Sequence, residues 1–108
     1  MLKKWQRNYF TGKLKYEGEY LNGIRNGKGK EYYDNGKLKY DGEYLNGIRN
    51  GKGKEYNFYN GKYLFEGEFK NGERWNGYGK EYNLEGKLIF DGEYTKGKKI
   101  IVDSMKYI

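Results

Sequence analysis

The chain contains no cysteine and no histidine. That removes disulfides, zinc sites built from thiolates or imidazoles, thiol and serine triads, and imidazole general bases in one step. Long apolar runs are missing too: Met1-Leu2-Lys3-Lys4-Trp5 turns polar at once, and Ile100-Ile101-Val102 is three residues long. Neither end therefore reads as a signal peptide or a spanning helix, and the expectation is a soluble cytoplasmic protein. The usual core-forming residues are scarce, since Leu, Ile, Val and Phe together make only 20 of 108 positions. With a formal charge of +7, such a composition would ordinarily specify a disordered chain.

Aromatic residues reverse that reading. Fourteen tyrosines and two tryptophans are present, and each large ring can bury roughly 150 to 250 Å² while its polar tip stays wet. Their placement is periodic. Tyr16-Glu17-Gly18-Glu19-Tyr20 returns as Tyr40-Asp41-Gly42-Glu43-Tyr44, Phe65-Glu66-Gly67-Glu68-Phe69 and Phe90-Asp91-Gly92-Glu93-Tyr94, and the fifteen residues GEYLNGIRNGKGKEY occur identically at 18–32 and 42–56. Fixed-period similarity is the signature of a repeat architecture. One insertion enters before Asn60-Gly61 between units, and another beside Trp75 within a unit's own loop.

Each unit alternates short β-type runs with glycine turns, and no stretch carries apolar spacing of helical period. The expected fold is all-β, an elongated single-layer antiparallel meander of hairpins. About three full repeats (16–39, 40–64, 65–89) lie between a half repeat at 1–15 and a partial repeat or cap at 90–108, all in one domain of 1–108. Asn35-Gly36 is expected to form a two-residue hairpin turn. That turn sets Glu31 opposite Tyr40 and Tyr33 opposite Leu38. Across a longer loop from Asn46 to Gly51, Tyr44 is set opposite Gly53 and Glu43 opposite Lys54. The glycines Gly18, Gly29, Gly42, Gly53, Gly67, Gly79 and Gly92 then act as packing devices that let rings lie across the backbone. Tyr56 falls on the charged face in this register, which requires either a second tyrosine row or a bulge.

The pattern Tyr-x-Gly-Glu-Tyr-x-Asn-Gly-x-x-Asn-Gly-x-Gly, with its aromatic and Asn-Gly connection, resembles the MORN repeat (membrane occupation and recognition nexus) over about residues 9–97. The connections from Asn35 to Tyr44 are especially similar to bacterial-style variants. The resemblance implies a twisted sheet of hairpins serving interaction or assembly. Some members of the family occur as domains of lipid kinases, methyltransferases and junctional membrane proteins, and the variant repeats occur in antitoxin-like bacterial proteins. Asn26, Asn50 and Asn76 stand where many such units carry histidine.

Two chemical readings of the repeats fail. Gly23 to Gly29 has the wrong spacing for a phosphate-binding loop, a glycine where a hydroxyl is needed, and no helix after it. The acid pairs Glu17/Glu19, Asp41/Glu43, Glu66/Glu68 and Asp91/Glu93 are copies on one face, with nothing to split their pKa values as a catalytic dyad requires. No enzyme, cofactor, metal or small-molecule substrate is expected.

The leading expectation is a protein-protein interaction or scaffolding module. Its candidate groove is the aromatic set Tyr16, Tyr20, Tyr40, Tyr44, Phe65, Phe69, Trp75, Phe90 and Tyr94. The alternative is weak peripheral binding to anionic phospholipid. That would use Arg25, Arg49 and Arg74 at hairpin tips with Lys13, Lys37, Lys62 and Lys87 at the opposite turns, recurring roughly every 10 Å. Nucleic-acid binding or an antitoxin-like role ranks below these, and Ile100, Ile101 and Val102 are the candidate homodimer contact.

Overall fold

The computed structural model describes residues 3–101. It holds nine antiparallel strands in one open sheet, ordered along the chain: β1 (Lys3–Phe10), β2 (Lys13–Leu21), β3 (Ile24–Tyr32), β4 (Leu38–Leu45), β5 (Ile48–Tyr56), β6 (Tyr63–Lys70), β7 (Glu73–Tyr82), β8 (Leu88–Thr95) and β9 (Lys98–Lys99). The extents of 58 × 30 × 16 Å are those of a single elongated layer.

The two kinds of connection exchange the roles expected of them. Tight two-residue turns form at Asn22-Gly23, Asn46-Gly47 and Asn71-Gly72, and also at Thr11-Gly12 and Lys96-Gly97, with φ near 50° at the first residue and 78 to 88° at the glycine. Both positions of a primed hairpin turn need positive φ, which asparagine and glycine tolerate. Asn35-Gly36 instead ends a three-residue loop in which only Gly36 has positive φ, closed by Tyr33 N–H donating to Lys37 O at 2.9 Å. A register shift after Glu31 then sets Tyr32, not Tyr33, opposite Leu38, while Glu31 faces Tyr40.

The register across the tip hairpins also differs from expectation. Gly53 lies opposite Gly42 and Lys54 opposite Asp41, while Tyr44 faces Arg49. The cause is a bulge: between the Gly42–Gly53 and Tyr44–Arg49 pairs, Glu43 alone opposes Asn50, Gly51 and Lys52. Its carboxylate fills the gap by accepting the Lys52 backbone N–H at 2.8 Å, and Glu19 accepts from Lys28 N–H at the same distance in the preceding unit. Gly51 turns here with φ 99°. In the third unit Trp75 is the bulged residue, between the Phe69–Arg74 and Glu68–Asn76 pairs. That insertion therefore sits inside strand β7, and the expectation that it lies in a loop is corrected.

Alternation puts Tyr16, Tyr20, Tyr40, Tyr44, Phe65, Phe69 and Tyr94 on one face, where all are buried, and Phe90 packs against them. Edge-to-face contacts at 5.1 to 5.5 Å link eight rings without a break, in the order Tyr20, Tyr16, Tyr44, Tyr40, Phe69, Phe65, Tyr94, Phe90. Each such pair contributes about 0.5 to 1.5 kcal/mol beyond its buried area. The rings reach this density because glycines lie beneath them. A methyl group on Gly53 would stand 2.6 and 2.7 Å from Cε1 and Cζ of Tyr40. The ring over Gly53 is thus Tyr40 and not Tyr44.

Candidate interaction site

The aromatic set expected to form an open groove is instead the core. Tyr16 and Tyr40 are 0% exposed and Phe65 1%, and a ring that is sealed offers a partner nothing to touch. Trp75 lies apart from this row, half-buried at the tip edge under the Lys70 ammonium, which is 4.7 Å from its ring centroid.

What seals the rings is the arginine column. Arg25, Arg49 and Arg74 are not at hairpin tips: each lies within a strand, opposite Tyr20, Tyr44 and Phe69 in turn. The Arg25 guanidinium sits 4.1 Å from the Tyr16 ring centroid, that of Arg49 4.2 Å from Tyr40, and that of Arg74 5.1 Å from Phe65. Desolvating an arginine is tolerated where a ring face lies below it and carboxylates lie beside it. Arg49 donates from Nε to Glu31 at 3.0 Å and from Nη1 to Glu55 at 3.1 Å. Arg74 reaches Glu55 at 2.7 Å and the Tyr94 hydroxyl at 2.8 Å. Lys99 takes the same place in the last unit, bonding Glu81 at 2.8 Å.

Titration follows this packing. Burial pushes the Glu31 carboxyl up, but hydrogen bonds from Arg49 and Tyr44 outweigh it and hold the group below its ordinary value. The Lys99 and Tyr94 hydrogen bonds lower Glu81 in the same way. Burial, with Arg25 opposing it, raises the Tyr16 phenol to about 12. The acids Glu31, Glu55 and Glu81 were not singled out in the sequence, although the register setting Glu31 opposite Tyr40 already put it on the ring face.

The opposite face carries the paired acids among lysines, with Lys30 and Lys54 both opposite Asp41 and Lys54 also opposite Glu66. It carries a tyrosine row as well: Tyr32 donates to Glu17, and Tyr56 stands 5.1 Å from Tyr63 between ring centroids. A shallow groove of about 640 Å³ crosses this face between Asp41, Lys52, Lys54, Glu66, Glu68 and Asn76. Its charges alternate, and among the described residues no group of three or more acids converges as a metal site would need.

Adjacent units are tied along both edges. At the tips, Asn26, Asn50 and Asn76 accept the backbone N–H of Asn46, Asn71 and Lys96 at 3.1, 3.3 and 2.9 Å. At the other edge the loop 34–36 is fastened to the next one: Tyr33 donates to Tyr56 O at 2.7 Å, Asn35 to Phe58 O at 3.1 Å and Lys37 to Tyr59 O at 2.8 Å. Asn57 stands where Tyr33 stood and bonds only within its own loop, to the N–H groups of Tyr59 and Asn60. A cleft of about 550 Å³ is left between that loop and 83–87, lined by Tyr59, Tyr82, Leu84, Asn57, Asn60 and Asn83. Tyr59 is 81% exposed and Leu84 fully so. Lys13, Lys37, Lys62 and Lys87 are exposed along this edge. Ile100 and Ile101 are exposed at the far end, and Val102 lies outside the described residues.

An open sheet of ring-and-glycine hairpins, tied unit to unit, defines a repeat module. The family model described as MORN repeat matches residues 16–37, 40–58 and 65–82, more than half of the chain, and the chain belongs to the MORN-repeat family. No curated protein and no solved structure gives a match. MORN repeats are non-enzymatic modules generally associated with protein and membrane interaction. Among the described residues no helix is long and apolar enough to cross a membrane.

Proposed function

We propose that this chain is a non-catalytic, cytoplasmic protein-interaction module whose primary contact is the loop edge around Tyr59 and Leu84. The observation that supports this reading is the cleft of about 550 Å³ between loops 57–61 and 83–87, flanked by an exposed tyrosine and an exposed leucine. A large aromatic beside an aliphatic at an open cleft is the composition of a protein contact. The lipid alternative loses its strongest carriers, because Arg49 and Arg74 are held by carboxylates over the rings. The turn lysines that remain contribute about 1 kcal/mol each at most near an anionic surface.

Wild type and a Tyr59→Ser/Leu84→Ser variant, each immobilised, are exposed to extract of the source cells, and bound proteins are quantified by mass spectrometry. A protein held by wild type and lost from the variant, with melting unchanged, is the expected result. Identical captured sets, or binding to phosphatidylserine vesicles alone, would overturn the reading.

A further inference from the structure

The ladder over the rings carries a carboxylate in every unit but the first, where Asn8 stands instead. Glu31, Glu55 and Glu81 each lie opposite the first ring of the following unit, at Tyr40, Phe65 and Phe90. Each also bonds the basic residue two strands on: Glu31 with Arg49, Glu55 with Arg74, Glu81 with Lys99. The first unit has the same geometry with one exchange. Asn8 lies opposite Tyr16, and its amide donates to the Tyr20 hydroxyl where Glu31 accepts from that of Tyr44. The basic residue two strands on from Asn8 is Arg25.

Asn8 brings no charge. Arg25 consequently has the cation-π contacts of its column, to Tyr16 and Tyr44, but no acidic partner among the described residues. Tyr20 is 7% exposed, and its hydroxyl accepts from Asn8. Its own proton is therefore free to be given to an oxygen. Lys4 lies opposite Tyr20 on the outer strand, so Lys4 and Arg25 flank that ring. A guanidinium over a ring face, with a phenol proton in the same column and a lysine on the next strand, suits a carboxylate.

We propose that this end of the ring face binds an acidic side chain of an extended partner segment, which approaches Arg25 beside Asn8 and pairs with it as Glu31 and Glu55 pair with Arg49 and Arg74 in the later units. The net charge of +7 favours the same class of ligand. The proposal rests on the interaction reading but uses a different surface from the Tyr59 and Leu84 cleft, so the two fail separately.

The probe is a fluorescein-labelled Ser-Gly peptide carrying four glutamates, followed by fluorescence anisotropy at low salt, with its glutamine counterpart as reference. Wild type binds the acidic peptide and not the reference. Arg25→Gln, checked for folding by circular dichroism, weakens binding about tenfold or more, the loss expected for a charge-assisted hydrogen bond. Asn8→Glu supplies a tethered carboxylate, so it weakens peptide binding to the same degree and raises the melting temperature. Tyr59→Ser/Leu84→Ser and Lys37→Gln bind as wild type does. Equal binding by wild type, Arg25→Gln and Asn8→Glu would overturn the assignment. So would a wild type that ignores the acidic peptide, whether or not it adsorbs to phosphatidylserine vesicles through Arg25.

Discussion

Replacing Gly53 by alanine tests whether the rings rest on bare backbone. In a strand, alanine is ordinarily the better residue by about 0.5 to 1 kcal/mol, because glycine loses more freedom on folding. Here the added methyl would meet Tyr40 Cε1 and Cζ at 2.6 and 2.7 Å, against the roughly 3.5 to 4.0 Å that carbon atoms prefer. Tyr40 must then lift by about 1 Å to restore that separation, and it has little room to do so. Its hydroxyl donates to Glu43 O at 2.9 Å, its ring contacts Tyr44 and Phe69 edge to face, and Arg49 lies over it. Overpacking of this kind costs about 1 to 3 kcal/mol, and weakening the hydroxyl bond adds about 1 kcal/mol.

Set against the conformational gain, the net loss for Gly53→Ala is about 2 kcal/mol. For a domain of this size that corresponds to a fall of about 8 to 16 °C in melting temperature, and valine should fall further. Gly92→Ala is the internal control. Its methyl would approach only one ring, Phe90, at 3.1 Å, and that ring is partly exposed and can swing outward. Its expected shift is under about a third of that for Gly53→Ala, by the same overpacking argument. Thermal melts followed by circular dichroism decide the matter. A Gly53→Ala protein melting within about 2 °C of wild type, or no more damaged than Gly92→Ala, would refute the argument.

Two further outcomes follow from the layer above the rings. Arg49→Gln leaves Glu31 half-buried without its cation and Glu55 with Arg74 alone, and should cost about 2 to 3 kcal/mol, while Lys37→Gln at an exposed turn should stay within about 0.5 kcal/mol; urea unfolding of both variants measures the difference. Stability should also fall at both extremes of pH. The carboxyls of Glu31 and Glu81 are lowered by folding, so their contribution is present above their ordinary value of 4.5 and is lost as pH falls through the lower folded values. The phenols of Tyr16 and Tyr32 are raised to about 12, so their contribution is complete below their ordinary value of 10.0 and disappears as pH climbs toward 12. Melting temperatures across the pH range, with phenolate absorbance followed at the alkaline end, should show the last fraction of the phenols ionising only as the sheet unfolds; full phenolate absorbance reached while the sheet is still folded would contradict the burial described.

The difference between what was and was not legible in the sequence comes down to parity. Side chains alternate across a strand, so counting by twos assigns faces without any knowledge of partners. That is why the ring face, the acidic face and the all-β meander were readable from Tyr40-Asp41-Gly42-Glu43-Tyr44. Partners depend on where the chain turns, and Asn46, Gly47, Asn50 and Gly51 all tolerate positive φ. The chain uses the first two for the turn and Gly51 for the bulge. The misjudged register is off by two residues, which moves Gly53 from Tyr44 to Gly42 while keeping it on the ring face. The arginines were misplaced for a different reason: positive charge was equated with solvent. Parity alone groups Arg49 with Gly51, Gly53 and Glu55, and Glu55 is one of the acids that neutralises it. Trp75 shows the rule from the other side. One inserted residue would turn every later side chain of β7 to the wrong face, so the fold absorbs it as a one-residue bulge in place of the three-for-one bulge of the earlier units. Gly77 and Gly79 thereby return beneath Phe65, and the row of rings continues into the last unit.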